Sequence, residues 1–166
     1  MLYILDANVL IDANRDYYSI DRVPEFWEWL VEAGRNGLVK IPIEVYEEIK
    51  EGNDDDRLAI WAKDGYVADA LLLNEESEVS LVSKVIDQGY AANLTDDEIE
   101  KIGRDPFLIA YALAAPLGRC VVTTEVSKPS RIRANRKLPD VCDQFNVLHC
   151  NTYEFIRNLD FKTKWK

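Results

Sequence analysis

The stretch YILDANVLI, residues 3–11, sets the reading of the whole chain. Tyr3, Ile4 and Leu5 form a short apolar run that stops at Asp6, and the residues after it turn helical. A short strand with apolar residues at successive positions is buried on both faces, as in a sheet covered by helices on two sides. The pattern recurs. Residues 38–41 (LVKI) read as a second strand, followed by Pro42 and the helix IEVYEEIKEG. Residues 119–123 (RCVVT) read as a third, and residues 147–149 (VLH) as a fourth before the helix NTYEFIRNL. Parallel strands need crossover connections, which helices supply. The expected class is therefore α/β, with a central parallel sheet of four to five strands in one domain spanning residues 1–166.

The connecting segments carry helix signals. Pro24 suits the first turn of a helix running through EFWEWLVEAG, whose apolar stripe is Phe26, Trp27, Leu30 and Val31. Gly34 and Gly37 are expected to end it. The acidic run NDDD, residues 53–56, reads as a loop and cap before RLAIWAKDG. Two helical pieces are expected between Tyr66 and Tyr90. Thr95 and Glu98 form a capping box at the start of the next helix. Asp105 is expected to cap FLIAYALAAPLG, with Pro106 at its first helical position, and Leu138 to Phe145 forms a further helix.

Composition removes several function classes. No apolar run approaches the roughly 18 residues that a membrane span needs. The N-terminus lacks a basic segment and Asp6 interrupts its apolar stretch, so a cytoplasmic protein is expected, with no membrane partner. Cys120, Cys142 and Cys150 are odd in number and show no CxxC spacing, which suits small buried thiols in a reducing compartment. A single histidine, His149, argues against a His-rich zinc site or a Ser-His-Asp triad. The net charge of −10 argues against a general nucleic-acid binder, but it is unevenly spread. Residues 44–100 hold 17 acids against 4 bases, whereas residues 101–166 hold 12 bases against 6 acids. The segment KPSRIRANRK places Lys128, Arg131, Arg133, Arg136 and Lys137 together with no acid among them, a candidate phosphate-binding face.

Four carboxylates stand beside strand or helix signals far apart in the chain: Asp6, Glu48, Asp105 and Glu125. A parallel sheet gathers the carboxyl ends of its strands at one edge, which would bring these acids together. Converging carboxylates repel unless a cation lies among them, and all-oxygen ligand sets favour Mg²⁺ or Mn²⁺. Each acid alone has an ordinary reading: a helix cap for Asp6 and Asp105, a solvated run for Glu44, Glu47 and Glu48, a loop acid for Glu125. Glu48 is chosen from its run because E-I-x-x-G ends the helix at Gly52, and Glu44 lies one turn earlier on the same face. Asp143 is an alternative to Glu125. Asn8, Glu44, Thr123 and Thr124 would orient carboxylates or water. Tyr17, Tyr18, Trp27 and Trp29 are candidates for stacking unpaired bases, although Trp27 reads first as a core residue.

LDANVLI, P-x-x-V-x-x-E-I-x-x-G, DPFLIAYALA and VVTTE, in this order and spacing, resemble the PIN-domain nuclease family over nearly the whole chain. The likeness is closest to small PIN-like proteins related to VapC-type toxins of toxin–antitoxin pairs. The resemblance implies a three-layer α/β/α sandwich, dependence on Mg²⁺ or Mn²⁺ and hydrolysis of RNA phosphodiester bonds. It also implies partnership with a cognate antitoxin and with a second copy in a homodimer. The family's acid set maps onto Asp6, Glu48, Asp105 and the acid after VVTT. That acid is Glu125 where many members carry Asp, so Asp143 stays open as its substitute. A PIN scaffold that binds RNA or protein without cutting also stays open. A haloacid-dehalogenase-type phosphatase would need a second Asp two residues after Asp6, where this chain has Asn8.

Overall fold

Ile4 and Leu5 have no exposed surface, and they lie in the first strand, β1 (Leu2–Leu5). A computed structural model describes residues 1–53 and 55–164; Asp54, in the acidic run read as a loop, lies outside them. Among the described residues, β1 joins β2 (Val39–Lys40), β3 (Arg119–Val122) and β4 (Leu148–Cys150) in one sheet. The order is β2-β1-β3-β4 and every pairing is parallel. Tyr3 sits opposite Val39 on one side and Cys120 on the other. An isolated parallel bridge from Ile41 to Leu72 prolongs the β2 edge.

Helices cover the sheet on both faces, making a three-layer α/β/α sandwich. After β1 come α1 (Ala7–Asp12), a π-helical turn (Ala13–Tyr17) and α2 (Pro24–Arg35). Between β2 and β3 lie α3 (Ile43–Lys50), α4 (Arg57–Ala62), α5 (Gly65–Leu71) and α6 (Val79–Lys84). A π-helical segment (Val85–Ala91), α7 (Asp96–Ile102) and α8 (Asp105–Leu113) complete that crossover. The 3₁₀ turn Arg133–Asn135 and α9 (Leu138–Gln144) precede β4, and α10 (Thr152–Asn158) follows it.

The chain steps from β1 to β2, then returns across β1 to β3 and continues to β4. Crossovers are right-handed, so the two directions send their helices to opposite faces. On one face Phe155 of α10 meets Tyr3 at 5.3 Å and Trp29 of α2 at 5.7 Å between ring centres. On the other, α8 packs on β1 and β3, and α9 packs on β4. The direction reverses between β1 and β3, which opens a crevice at their carboxyl ends.

Two local readings are corrected. Gly34 does not end α2; it lies inside the helix, where an added Cβ would come within 2.7 Å of the Ala70 carbonyl oxygen. Gly37, with φ 71°, is the residue that turns the chain. Trp27 is 2% exposed and belongs to the core, as its sequence reading favoured; Trp29, 6% exposed, is a core residue too, so neither can stack a base. No described helix is long and apolar enough to cross a membrane.

Candidate metal centre

Asp6 leaves β1 and caps α1, but its strongest partner is not in α1. The Asn8 N–H lies 3.5 Å from Oδ1, a weak approach, whereas the Thr123 hydroxyl donates to Oδ2 at 2.8 Å. The β1–β3 ladder causes this. Leu5 sits opposite Val122, and the Asp6 N–H continues the ladder to the Val122 carbonyl at 3.0 Å. The next residue, Thr123, must then lie beside the Asp6 side chain. The same hydroxyl oxygen accepts the Glu125 N–H at 3.1 Å, so one threonine ties two of the four acids into place. Burial pushes the Asp6 carboxyl up to about 6; the Thr123 and Asn8 bonds oppose the shift, and the charges of Glu125 and Glu48 add to it.

Asp105 lies in the first turn of α8, with Arg104 as the cap residue, so its carboxylate is not the helix cap that the sequence suggests. It accepts a long hydrogen bond from the Tyr90 hydroxyl at 3.4 Å. Its carboxyl is raised well above the usual range, first by desolvation and then by the charges of Asp6 and Glu125. Glu48, on α3, is also raised by desolvation, with Arg104 pulling the other way. These mutual effects place the acids within electrostatic reach of one another. All four line a single cavity of about 830 Å³ at the crevice between β1 and β3, where Glu51 and Glu100 add charge and Lys101 and Arg104 are the bases.

Glu125 is held differently. Its Oε1 accepts from the Lys137 ammonium at 2.5 Å and its Oε2 from the Leu138 N–H, at the start of α9, at 2.7 Å. With the side chains in these orientations, no three Asp, Glu, His or Cys side chains among the described residues stand close enough to ligate one ion. The donor set nevertheless fits a hard divalent cation. It is all oxygen, and it includes two enclosed acids, Asp6 and Asp105, that desolvation and mutual repulsion drive toward protonation.

A second cavity of about 300 Å³ shares Asp105 and Glu125 with the first. Lys101, Lys128, Arg131, Arg136 and Lys137 line it. The five cations of the segment 128–137 divide by their contacts. Arg133 is committed to Glu98 at 2.7 Å and to Asn93, and its guanidinium draws the Glu98 carboxyl down to about 2. Arg136 holds the carbonyls of Gly89 and Asp140, and Lys137 holds Glu125. The side chains of Lys128 and Arg131 make no hydrogen bond or ion pair among the described residues, and both residues are exposed. Asp140 pins this loop by accepting from the Ser127 hydroxyl and the Lys128 N–H.

The remaining sequence candidates lie apart. Asp143 is exposed and pairs with His149 at 3.0 Å, away from the acid cavity. Glu44 raises the Tyr111 phenol by its charge, after desolvation, and does not line the cavity. Thr124 lines a separate crevice with His149 and Glu154, which Glu125 borders too. Asn8 does line the acid cavity. Sequence reasoning missed Tyr90, Lys101 and Arg104. Arg104 could have been found as the base next to Asp105; Tyr90, in the π-helical segment, carries no local signal.

No curated protein and no solved structure matches the chain significantly. Residues 3–163 match the family described as Domain of unknown function (DUF4411). That match spans almost all of the sheet and every element that contributes to the acid cavity, and the chain belongs to the DUF4411 family.

Proposed function

We propose that the chain is a PIN-like ribonuclease that uses Mg²⁺ or Mn²⁺ to hydrolyse RNA phosphodiester bonds. The observation that carries this reading is the meeting of Asp6, Glu48, Asp105 and Glu125, from four separated segments, on one cavity that adjoins a basic one. A divalent ion held by these carboxylates would supply positive charge to a phosphoryl group and make a bound water more acidic. The residues themselves position the parts. Thr123 orients Asp6 and the Glu125 backbone, and Tyr90 orients Asp105. Lys128 and Arg131, whose side chains make no hydrogen bond or ion pair among the described residues, would meet phosphates flanking the scissile one.

The test is cleavage of a labelled single-stranded RNA with Mn²⁺, with EDTA, and by Asp6→Asn and Asp105→Asn. Cleavage is expected with Mn²⁺ alone and is lost in both variants. Cleavage that persists in both, or in EDTA, rejects the metal site. If the nuclease is a toxin, its expression arrests growth and a partner encoded beside it restores growth. A second reading, a scaffold that binds RNA or protein without cutting, is favoured by the engagement of both Glu125 oxygens. Absence of Mn²⁺ binding in a calorimetric titration would select it.

A further inference from the structure

Glu125 stands in the wall between the acid cavity and the basic cavity, and its two oxygens are held by groups of different kinds. The Oε2 partner, the Leu138 N–H, is backbone at the start of α9 and has no freedom to leave. The Oε1 partner, the Lys137 ammonium, sits at the end of a flexible four-carbon stem. The pair is partly open to solvent, with side-chain exposures of 33% for Lys137 and 23% for Glu125. Lys137 also lines the basic cavity, where Lys128 and Arg131 have exposed side chains ready to attract an anion.

We propose that Lys137 is a positioning residue that couples phosphate binding to metal binding. It holds Glu125 Oε1 until a phosphodiester oxygen in the basic cavity takes the ammonium. The freed Oε1 then turns to the metal shared with Asp6, Asp105 and Glu48. This inference rests on the metal-dependent reading of the acid cavity. It accounts for an acid that lines the cavity while one of its oxygens is already neutralised by a cation of the chain's own. It also gives the basic cavity a ligand class, a phosphodiester or phosphate anion. Lysine suits the role because a point charge on a long stem exchanges partners without disturbing the backbone.

The test is a Mn²⁺ titration by calorimetry on the wild type, Lys137→Gln, Glu125→Gln and the double variant. Each is run alone and with thymidylyl-thymidine, a phosphodiester that a ribonuclease does not cut. Lys137→Gln is expected to bind Mn²⁺ about fivefold more tightly than wild type, as expected for loss of one partly exposed ion pair. That gain disappears in the Glu125→Gln background. The dinucleotide tightens Mn²⁺ binding by the wild type and leaves Lys137→Gln unchanged. Lys137→Arg keeps the pair and behaves as wild type. An equal gain in the Glu125→Gln background shows that the ammonium acts only through its field; it overturns the coupling and leaves the metal site standing. Unchanged or weaker Mn²⁺ binding by Lys137→Gln overturns the coupling in the same way. Failure of the wild type itself to bind Mn²⁺ overturns the coupling and the metal reading together.

Discussion

At the scale of single residues, Asp6 is a side chain whose buried position costs the fold stability while it serves the cavity. Its carboxyl is raised from 3.8 to about 6, mainly by burial, so the unfolded chain gives up this proton at lower pH than the folded chain does. The contribution of Asp6 to stability therefore falls as pH rises from about 4 to about 6, and its penalty, up to about 3 kcal/mol, is constant above that range. Asp6→Asn removes the charge and keeps the acceptor for the Thr123 hydroxyl. In EDTA the variant is expected to melt above the wild type at pH 8 and together with it below pH 4, as thermal denaturation followed by circular dichroism will show. A variant that melts below the wild type at pH 8 would mean that Asp6 is stabilised by a contact that Asn cannot make. Asp6 and Asp105 were both legible in the sequence as acids at a strand end and a helix start. What their carboxylates do was not legible. Asp105 turned out not to cap its helix, and the main partner of Asp6 lies 117 residues away. Lys137 and Glu125 illustrate the same limit: both were legible as charges, but their pairing depends on where α9 begins.

Among the elements, the contact between α2 and α5 is a close approach that a glycine permits. A Cβ on Gly34 would stand 2.6 Å from Leu71 Cδ2 and 2.7 Å from the Ala70 carbonyl oxygen, and the second of these is backbone. Alanine would help α2 by up to about 1 kcal/mol in helix propensity. Overpacking of a fixed contact costs typically about 1–3 kcal/mol. Gly34→Ala is therefore expected to lower stability by about 1–2 kcal/mol in urea denaturation, although the residue lies in a helix and alanine is the better helix former. Equal or greater stability in Gly34→Ala would show that α5 can shift outward at little cost. The sequence announces a glycine near a helix end, and a C-terminal turn is the natural inference. Only the packing partner reveals that Gly37 makes the turn and Gly34 makes the contact. The strands were legible for a related reason. Each is short, apolar and followed by a helix start, and their parallel pairing follows from the crossovers. The π-helical segments were not legible, because the apolar spacing that marks a helix does not distinguish the extra residue per turn.

For the molecule as a whole, the charge is divided along the chain and the fold concentrates that division. The acid cavity and the basic cavity share the wall formed by Asp105 and Glu125, so a phosphate chain can lie across both only if local cations outweigh a net charge of −10. Lys128 and Arg131 are the cations of residues 128–137 whose side chains make no hydrogen bond or ion pair among the described residues. Replacing either by alanine should weaken binding of single-stranded RNA regardless of sequence and reduce the slope of log affinity against log salt by about 0.7 for each lost phosphate contact. Arg133→Ala should behave differently. Its guanidinium ties the 3₁₀ turn to Glu98 on α7 and to Asn93, so its loss should lower the melting temperature and leave the salt slope nearly unchanged. Salt-dependent fluorescence anisotropy with a labelled oligonucleotide, set beside thermal melts of the same three variants, separates the two behaviours. A slope reduced equally by all three would mean that the loop meets RNA as an undivided basic surface, and the assignment of Arg133 to the fold would fail.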